Sequence, residues 1–268
     1  MGRPSYRELV GDSQMRAIDE MYIHRFQRDG YLVVPGFVSD DVCLQMRATI
    51  AQALNPLQGP AEFEVDVGYR GSPSSRAAAG GDTPRRLLNA YSRDQVFRDY
   101  AQSNDIAIHL REMMGDKDIA LSQCHHNCIM IKMPGHSSET MWHQDIRYWS
   151  FDAPELVSVW LALGEERERN GALWVIPGSH LLELDRGRLD RDLFLRRELE
   201  DNQALIEQAQ LVTLERGDAL FFHCRVFHAA GTNRTDTTKY SVAFTYHTTA
   251  NAPIPGTRSA QYPSVSLL

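Results

Sequence analysis

The stretch WHQDIRYW contains two residues with metal-binding side chains, His143 and Asp145, which are two positions apart. If residues 140–150 form a strand, both side chains point to the same side of it, because side chains alternate along a strand. An imidazole and a carboxylate on one face can then reach the same ion. A His-x-Asp pair is common by chance, so a third ligand is needed before the pair indicates a site.

The third candidate ligand is His228, at the end of the stretch GDALFFHCRVFH, which begins with a turn and continues as an apolar strand. Two histidines and one aspartate form the facial triad that leaves three positions of a non-haem iron(II) ion open. His223 is five residues earlier, so on one strand it would face the opposite side and is interpreted as structural. The sequence therefore predicts a metal site formed by His143, Asp145 and His228.

The elements that must position these ligands change in character near residue 115. Before that point, helical spacing of apolar residues, with capping and breaking residues, predicts helices over 13–30, 40–54 and about 94–114. After it come short β-type runs separated by turn residues, over 119–133, 140–150, 155–163, 171–176, 209–215, 219–228 and 238–249. The clearest alternation puts on one face Val157, Val159, Leu161 and Leu163. Helices followed by strands predict a mainly β protein, a sandwich or barrel with flanking helices.

Two segments do not fit this regular pattern. Residues 57–86 are rich in Gly, Ser, Pro and Arg and form a long irregular segment, and residues 181–208 form a charged insertion with a helical pattern. Long connections in compact domains often act as lids over a site. Both segments are therefore candidates for a lid that sets substrate specificity.

The composition of the 268 residues is that of an ordinary globular protein, with 43% hydrophobic and 24% charged residues. A formal net charge of −7 argues against a general nucleic-acid binder, which would be basic. No apolar run approaches the roughly 20 residues of a membrane helix, and the N-terminus lacks the apolar segment of a secretory signal. Four cysteines form neither a disulfide framework nor a typical zinc cluster. We expect a cytoplasmic protein that binds neither nucleic acid nor membranes.

Four motifs in the same order make the sequence similar to the phytanoyl-CoA dioxygenase family of iron(II)- and 2-oxoglutarate-dependent oxygenases. They are FQRDGYLVVPGFVSDDV, WHQD, NGALWVIPGSH and GDALFFHCRVFHAAGTNRT. The resemblance extends from about residue 24 to 249, with 85 positions between His143 and His228. It implies a double-stranded β-helix, or jelly roll, over about 116–250. A helical part over about 1–115 would precede it in a single domain spanning 1–268.

The resemblance also implies how 2-oxoglutarate is bound. Family members usually have an Arg eleven residues after the distal His, where it pairs with the distal carboxylate of the cosubstrate. This chain has Lys239 at that position, followed by Ser241. A Lys neutralises a carboxylate as a point charge but lacks the two-pronged geometry of Arg, and a Ser hydroxyl can donate to the same group. Arg234 is the alternative cation, and Asn127 matches a position from which an amide reaches the cosubstrate.

The reaction that the resemblance implies uses Fe(II), 2-oxoglutarate and O2 as cofactor and cosubstrates. Oxidative decarboxylation gives succinate and CO2 and oxidises a C–H bond of a small-molecule substrate. Hydroxylation is the default outcome, and desaturation, ring formation or epimerisation are alternatives. In related halogenating enzymes a small residue replaces the metal-binding carboxylate, so Asp145 indicates oxygen chemistry.

Three residues after the metal pair are candidates for substrate contact. Trp149 resembles an aromatic residue that lines the cavity in family members, and Tyr148 is its neighbour. Arg147 is two residues past Asp145 and would suit an anionic substrate. The alternatives are that both aromatic residues belong to the core and that Arg147 forms a surface ion pair.

Two other classes of function remain open. A jelly roll can bind a metal and a small molecule without being an oxygenase, and Lys239 in place of Arg keeps that possibility open. A metal-dependent isomerase on the same fold is the third class. Metal identity and 2-oxoglutarate binding separate these classes. A monomer or a homodimer is expected, and the sequence does not identify the substrate.

Overall fold

The computed structural model describes the backbone of residues 12–267 and the side chains of residues 20–267. Its helices are α1 (Asp12–Asp29), α2 (Asp40–Leu54), α3 (Glu64–Val67), α4 (Ala90–Arg93), α5 (Gln95–Ala101), α6 (Asn104–Met114) and α7 (Glu200–Ile206). Its strands are β1 (Tyr31–Val34), β2 (Ala61–Phe63), β3 (Pro84–Leu88), β4 (Ile119–Lys132), β5 (Thr140–His143), β6 (Val157–Ala162), β7 (Leu173–Val175), β8 (Gln210–Leu211), β9 (Ala219–His223), β10 (His228–Ala230), β11 (Lys239–Thr248) and β12 (Val265–Ser266).

Within the described residues, the strands form two antiparallel sheets. The large sheet has eight strands in the order β1-β9-β6-β11-β4-β3-β2, with β12 added to β4. The small sheet has four strands in the order β5-β10-β7-β8. Strands that are distant in the chain are neighbours in both sheets, as expected for a jelly roll. The predicted mainly β fold with flanking helices is confirmed.

Apolar residues bury both faces of the large sheet. On the inner face, Trp160 of β6 and Phe222 of β9 pack in one core with Leu173 and Val175 of the small sheet. On the outer face lie Val157, Val159, Leu161 and Leu163, in a second core with residues of the helices α2, α5 and α6. The predicted alternation along β6 is therefore confirmed. Each large side chain buried this way contributes about 1.5–3 kcal/mol.

The segment 140–150 was predicted as one strand, and that prediction is wrong. Strand β5 ends at His143, and Asp145 begins a turn of 3-10 helix, Asp145–Tyr148. The turn itself contains partly buried Ile146 and Tyr148 and is followed by buried Trp149, so its sequence resembles that of a strand. Strand alternation is therefore not what brings His143 and Asp145 together.

The segment 219–228 is likewise two strands rather than one. Strand β9 ends at His223 in the large sheet, a turn follows, and β10 begins at His228 in the small sheet. The turn contains Cys224, Val226 and Phe227, all fully buried because the chain passes through the core between the sheets. A continuous apolar run therefore concealed a change of sheet.

The helical predictions need smaller corrections. The helix predicted over about 94–114 is divided into α5 and α6, because the Ser103 side chain accepts a hydrogen bond from the Ile106 N–H at 3.3 Å and caps a new helix. Residues 57–86 are less irregular than expected, since they include β2, α3 and β3. In residues 181–208 the predicted helical character is limited to α7 and short 3-10 turns. Among the described helices, none has the length and apolarity needed to cross a membrane.

Two glycines with positive φ, Gly217 and Gly115, allow the close contact between the turn before β9 and the segment before α2 to be tested by substitution. Gly217 precedes β9 with φ +87°, and a Cβ there would lie 2.2 Å from the Val38 carbonyl oxygen. Gly115 ends α6 with φ +65°, and a Cβ there would meet no heavy atom within 4 Å. Both Gly→Ala variants incur the cost of a left-handed alanine, but only Gly217→Ala adds a steric clash.

We expect Gly217→Ala to lower the free energy of unfolding by about 1–3 kcal/mol more than Gly115→Ala does. Urea denaturation of the two variants beside the unsubstituted protein measures the difference. Equal losses would contradict the close approach of the Val38 carbonyl to this turn.

Candidate metal centre

Strand pairing brings the three predicted ligands together. Strands β5 and β10 are antiparallel neighbours in the small sheet, and His143 lies directly opposite His228. Their imidazole centroids are 4.3 Å apart. Asp145 follows in the 3-10 turn, and one donor atom from each of the three residues lies within 4.8 Å of the others. The three residues converge as predicted, but strand alternation, the reason given for His143 and Asp145, is not what brings these two together.

Backbone carbonyls fix the orientation of both imidazole rings. The Nδ1 atom of His143 lies 2.8 Å from the Met141 carbonyl oxygen, and that of His228 lies 3.0 Å from the Val226 carbonyl oxygen. A carbonyl can only accept, so each Nδ1 carries the proton and donates it. Each Nε2 is left with its lone pair toward the site, 3.4 Å from Asp145 Oδ1. Metal-binding histidines are typically held by such a second hydrogen bond.

The Asp145 carboxylate is the residue that demands a cation. It is 0% exposed, and neither of its oxygens accepts a hydrogen bond from a described residue. Burying a carboxylate without donors is costly unless a metal or other positive charge compensates it. The donor set of two neutral imidazole nitrogens and one carboxylate oxygen therefore fits iron(II), which such triads hold.

The pKa values agree with this requirement. Burial acts to raise the pKa of Asp145, but the imidazoles of His126 and His228 outweigh it and hold that pKa well below its usual range. Burial lowers the pKa of His143 to about 4. The pKa of His228 is raised, because the attraction of Asp145 outweighs burial. At neutral pH the carboxylate is ionised and His143 is neutral, as metal ligands must be.

A cavity opens beside the three ligands, between the two sheets. Its walls are apolar toward Trp160 and Phe222 and cationic toward β3 and the end of β4. The lining residues other than the ligands are Arg85, Arg86, His126, Met130, Ile131, Lys132, Thr140, Trp160, Gly171, Leu173, Phe222, Ala229 and Ala230. A metal held by the triad would thus face a buried space in which positive side chains are available for an anion.

A bulge in β4 delivers one of these lining residues. Pairing with β11 jumps from Asn127 to Ser122, so four residues of β4 have no partner on that strand. Two of them, His125 and His126, have φ of 51° and 43°, which is unusual for residues with a side chain. The bulge places His126 Nδ1 3.2 Å from Asp145 Oδ2. His126 lines the metal cavity, whereas His125 does not.

Lys132, at the end of β4, also lies in the cavity wall. Its Nζ donates to two neutral acceptors, the Ser138 carbonyl at 3.0 Å and the Gly231 carbonyl at 2.6 Å. Burial and the nearby Arg85 lower the pKa of Lys132 well below its usual value. Gly171 makes room for the side chain, since a Cβ there would lie 2.8 Å from Lys132 Cδ. Lys132 thus lacks the carboxylate partner that a buried ammonium ordinarily has.

The predicted binding pair for the cosubstrate, Lys239 and Ser241, comes together around a carboxylate that belongs to the protein itself. Lys239 Nζ lies 2.8 Å from Glu166 Oε2, and Ser241 Oγ donates to Glu166 Oε1 at 2.6 Å. The Trp160 indole donates to the same oxygen at 2.9 Å. Glu166 is 1% exposed on its side chain. Neither Lys239 nor Ser241 is among the residues that line the metal cavity.

The structure places the other two cosubstrate candidates outside the cavity. The Asn127 side chain accepts from the Tyr91 N–H at 2.8 Å and donates to the Gln123 carbonyl at 3.3 Å, so its amide holds the bulge and α4 in place. Arg234 is a surface residue, with a side chain 66% exposed and its nearest acidic partner, Glu168, 4.0 Å away. Their predicted contact with 2-oxoglutarate is untested.

The three substrate-contact candidates lie near the triad without lining the cavity. Trp149 is buried, and its indole donates to the Cys124 carbonyl at 2.9 Å, as a core residue would. The Tyr148 ring packs 4.0 Å from the ring of His125. The Arg147 guanidinium lies 4.0 Å from the ring centroid of Phe194, in a cation–π contact. The core interpretation thus suits Trp149, and Arg147 stacks rather than forming a surface ion pair.

Sequence reasoning missed the cationic wall and its counter-charges. Lys132 ends the run CIMIK, in which Cys128, Met130 and Lys132 share one face, and a Lys on an apolar face was an available signal. Arg85 and Arg86 are the last two residues of the segment 57–86, which was predicted to be irregular, so no site role was predicted for them. Glu166 lies in the charged stretch EERERN, where nothing distinguishes a buried acid from its exposed neighbours.

Comparison with known proteins agrees with this geometry. The sequence profile of the phytanoyl-CoA dioxygenase family matches residues 26–241. Phytanoyl-CoA dioxygenase domain-containing protein 1 of Bos taurus is 22% identical over 273 residues, covering 87% of this chain and 90% of its own length. An ectoine dioxygenase of Streptomyces avermitilis is 23% identical over 248 residues, covering 87% of this chain and 79% of its own length.

A solved structure has the same fold. The epimerase SnoN, in complex with Fe³⁺, alpha ketoglutarate and nogalamycin RO, superposes with a TM-score of 0.74 at 22% identity. The alignment covers 92% of this chain and 91% of SnoN. The family profile extends from α1 into β11 and includes all three converging ligands. The chain therefore belongs to the phytanoyl-CoA dioxygenase family.

Proposed function

We propose that this protein is an iron(II)- and 2-oxoglutarate-dependent oxygenase that oxidises a C–H bond of a small-molecule substrate. The observation that carries the proposal is the buried Asp145 carboxylate, which has no hydrogen-bond donor and lies between two imidazoles with their Nε2 atoms toward it. When bound, the metal and its cosubstrate supply dioxygen activation, with succinate and carbon dioxide as co-products.

The chain itself contributes the holding and shielding of these groups. His143, Asp145 and His228 would bind the metal on one side and leave the cavity side open for the cosubstrate. The apolar walls at Trp160 and Phe222 exclude water, which strengthens each charge interaction in the cavity. The carbonyl contacts of the two imidazoles keep the ligands preorganised.

Charge balance favours Lys132 as the residue that binds the distal carboxylate of 2-oxoglutarate. Iron(II) with Asp145 carries one net positive charge and the cosubstrate carries two negative charges, so one further cation is needed in the cavity. Glu166 already neutralises Lys239. Lys132 lines the cavity and has only neutral acceptors. Lys239 with Ser241 remains the alternative, if Glu166 moves away when the cosubstrate binds.

The contact between Lys239 and Glu166 also supports a second candidate function. If the carboxylate site at Lys239 is permanently filled by Glu166, the protein is a metal-binding jelly roll that uses a different small molecule or none. The names of the relatives favour the oxygenase, since one is an ectoine dioxygenase and the other is named for a phytanoyl-CoA dioxygenase domain. Hydroxylation is the default outcome. Epimerisation is another possible outcome, since SnoN is an epimerase whose structure contains Fe³⁺ and alpha ketoglutarate.

The first test is anaerobic addition of iron(II) and then 2-oxoglutarate to the purified protein. We expect a weak visible metal-to-ligand charge-transfer band, because the cosubstrate chelates a metal with open positions. His228→Ala should weaken iron binding by more than the roughly 10–100-fold cost of losing an outer hydrogen-bond partner. His136→Ala, at an exposed position, is the matched control and should leave the band unchanged. Iron binding without a band would favour the second candidate function.

The second test separates the two lysines, which lie directly opposite each other on β4 and β11. Lys132→Met should raise the dissociation constant of 2-oxoglutarate by about tenfold or more, the cost of a lost charge-assisted hydrogen bond. Lys239→Met should instead lower the free energy of unfolding by about 3–5 kcal/mol, because it leaves Glu166 buried without its cation.

A double variant, Lys239→Met with Glu166→Gln, keeps this comparison interpretable. It removes both charges of the pair and should recover most of the lost stability. We expect it to bind 2-oxoglutarate within about threefold of the unsubstituted protein, below 1 kcal/mol. Loss of the charge-transfer band in the double variant, with the band retained in Lys132→Met, would assign the carboxylate to Lys239.

A further inference from the structure

A second cavity adjoins the metal cavity and opens toward the surface. It lies between the β4 bulge and the C-terminal segment, with the exposed residues Arg258, Gln261 and Tyr262 on its outer rim. Arg86 and His126 line both cavities and therefore stand at their junction. A molecule bound in the surface cavity would pass these two residues on its way to the metal ligands.

Arg86 is buried at this junction with little to bind. It is 6% exposed, and none of the described residues accepts a hydrogen bond from its guanidinium. Its nearest acid is Glu62, whose Oε1 lies 3.3 Å from Nε. That contact is on one edge of the guanidinium, and the edge formed by the two terminal nitrogens is left without a protein acceptor.

The adjacent arginine, Arg85, differs in that its terminal nitrogens have acceptors, while its Nε makes no hydrogen bond to a described residue, as in Arg86. Arg85 donates to the Ser138 hydroxyl at 2.7 Å and to the Thr140 hydroxyl at 2.9 Å, and it lies 3.4 Å from Glu64 Oε2. These contacts hold β3 against the segment before β5. Among the described residues, Arg86 has no equivalent acceptors for its terminal nitrogens, and its acidic neighbour is Glu62, which lies opposite it on β2.

His126 lies at the same junction, with its Nδ1 3.2 Å from Asp145 Oδ2. It is 6% exposed, and its Nδ1 makes no hydrogen bond to a described residue. Its ring forms the wall beside Arg86 where the two cavities meet.

We propose that Arg86 binds an anionic group, a carboxylate or a phosphate, of the substrate at this junction, beside the ring of His126. This proposal rests on the proposed oxygenase function and narrows its substrate to anionic small molecules. The free edge of Arg86 suits the two oxygens of such a group. Lys132 lies on β4 two positions beyond Met130, the residue opposite Arg86, so the substrate anion and the cosubstrate carboxylate would be bound by neighbouring residues of one wall.

The test measures binding of benzoate, phenyl phosphate and benzamide by calorimetry to the protein loaded with manganese(II) and saturating 2-oxoglutarate. Manganese avoids turnover, and saturating 2-oxoglutarate occupies its own carboxylate site. We expect benzoate or phenyl phosphate to bind at least about tenfold more tightly than benzamide, which has the same ring without the charge. The better of the two anions identifies the preferred group.

Variants at Arg86 then locate the site. Arg86→Met should weaken the better anion by at least about tenfold, and Arg86→Lys should have an intermediate effect because it keeps the charge and loses the fork. Arg258→Met is the matched control on the rim, and we expect a change within about threefold because solvent screens its charge. Glu62→Gln removes the carboxylate that Arg86 shares with Arg85 and should strengthen anion binding, and Arg86→Met in the same chain should abolish that gain if Arg86 is the anion site.

Two results would overturn the proposal. One is equal binding of the anions and benzamide. The other is a loss of 2-oxoglutarate binding in Arg86→Met with anion binding unchanged, which would make Arg86 a cosubstrate residue. If the unsubstituted protein binds no 2-oxoglutarate, the oxygenase proposal has failed separately. The same titrations with manganese alone still test whether anion binding depends on Arg86.

Discussion

The site is organised around one electrostatic constraint, a carboxylate buried without a hydrogen-bond donor. Neither oxygen of Asp145 accepts a hydrogen bond from a described residue, and the fold presents partners for a positive ion at fixed positions around it. The pairing of β5 with β10 supplies two imidazoles opposite each other, and backbone carbonyls orient both rings. The two sheets and the outer helical layer hold those short strands in place, because four- and three-residue strands have little stability of their own.

The same constraint applies to the cations inside the jelly roll, where a charge is tolerated mainly when it is paired. Lys239 is paired with Glu166, and Arg85 is paired with Glu64 and two hydroxyls. Lys132 and the free edge of Arg86 are the exceptions among the cavity-lining cations. An unpaired positive charge in a buried wall is destabilising. The positions of Lys132 and Arg86 therefore indicate where a negatively charged ligand would be stabilised. Both exceptions lie in the wall formed by β3 and the end of β4, where Arg86 is paired with Met130, two positions before Lys132.

Much of this organisation could be predicted from the sequence, and the failures have physical causes. His143, Asp145 and His228 converge as expected because motif spacing reflects which residues must meet, whatever the intervening backbone does. The strand boundaries around them were wrong because buried turns such as 224–227 are as apolar as strands. The partner of Lys239 was missed because it comes from a distant strand end, and pairing between Glu166 and Lys239 is set by sheet order, which local sequence does not encode.

The bulge in β4 has a consequence for how such a site can change over evolutionary time. Asn127–Lys132 keep their register with β11 on one side of the bulge, and Ile119–Ser122 keep theirs on the other. Insertions, deletions or replacements within the four intervening residues can therefore be absorbed without shifting either half of the strand. The wall that carries His126 can diversify while the wall that carries Lys132 stays in place. Selectivity for new compounds can thus be acquired by drift in one short segment, with the oxidative machinery inherited intact.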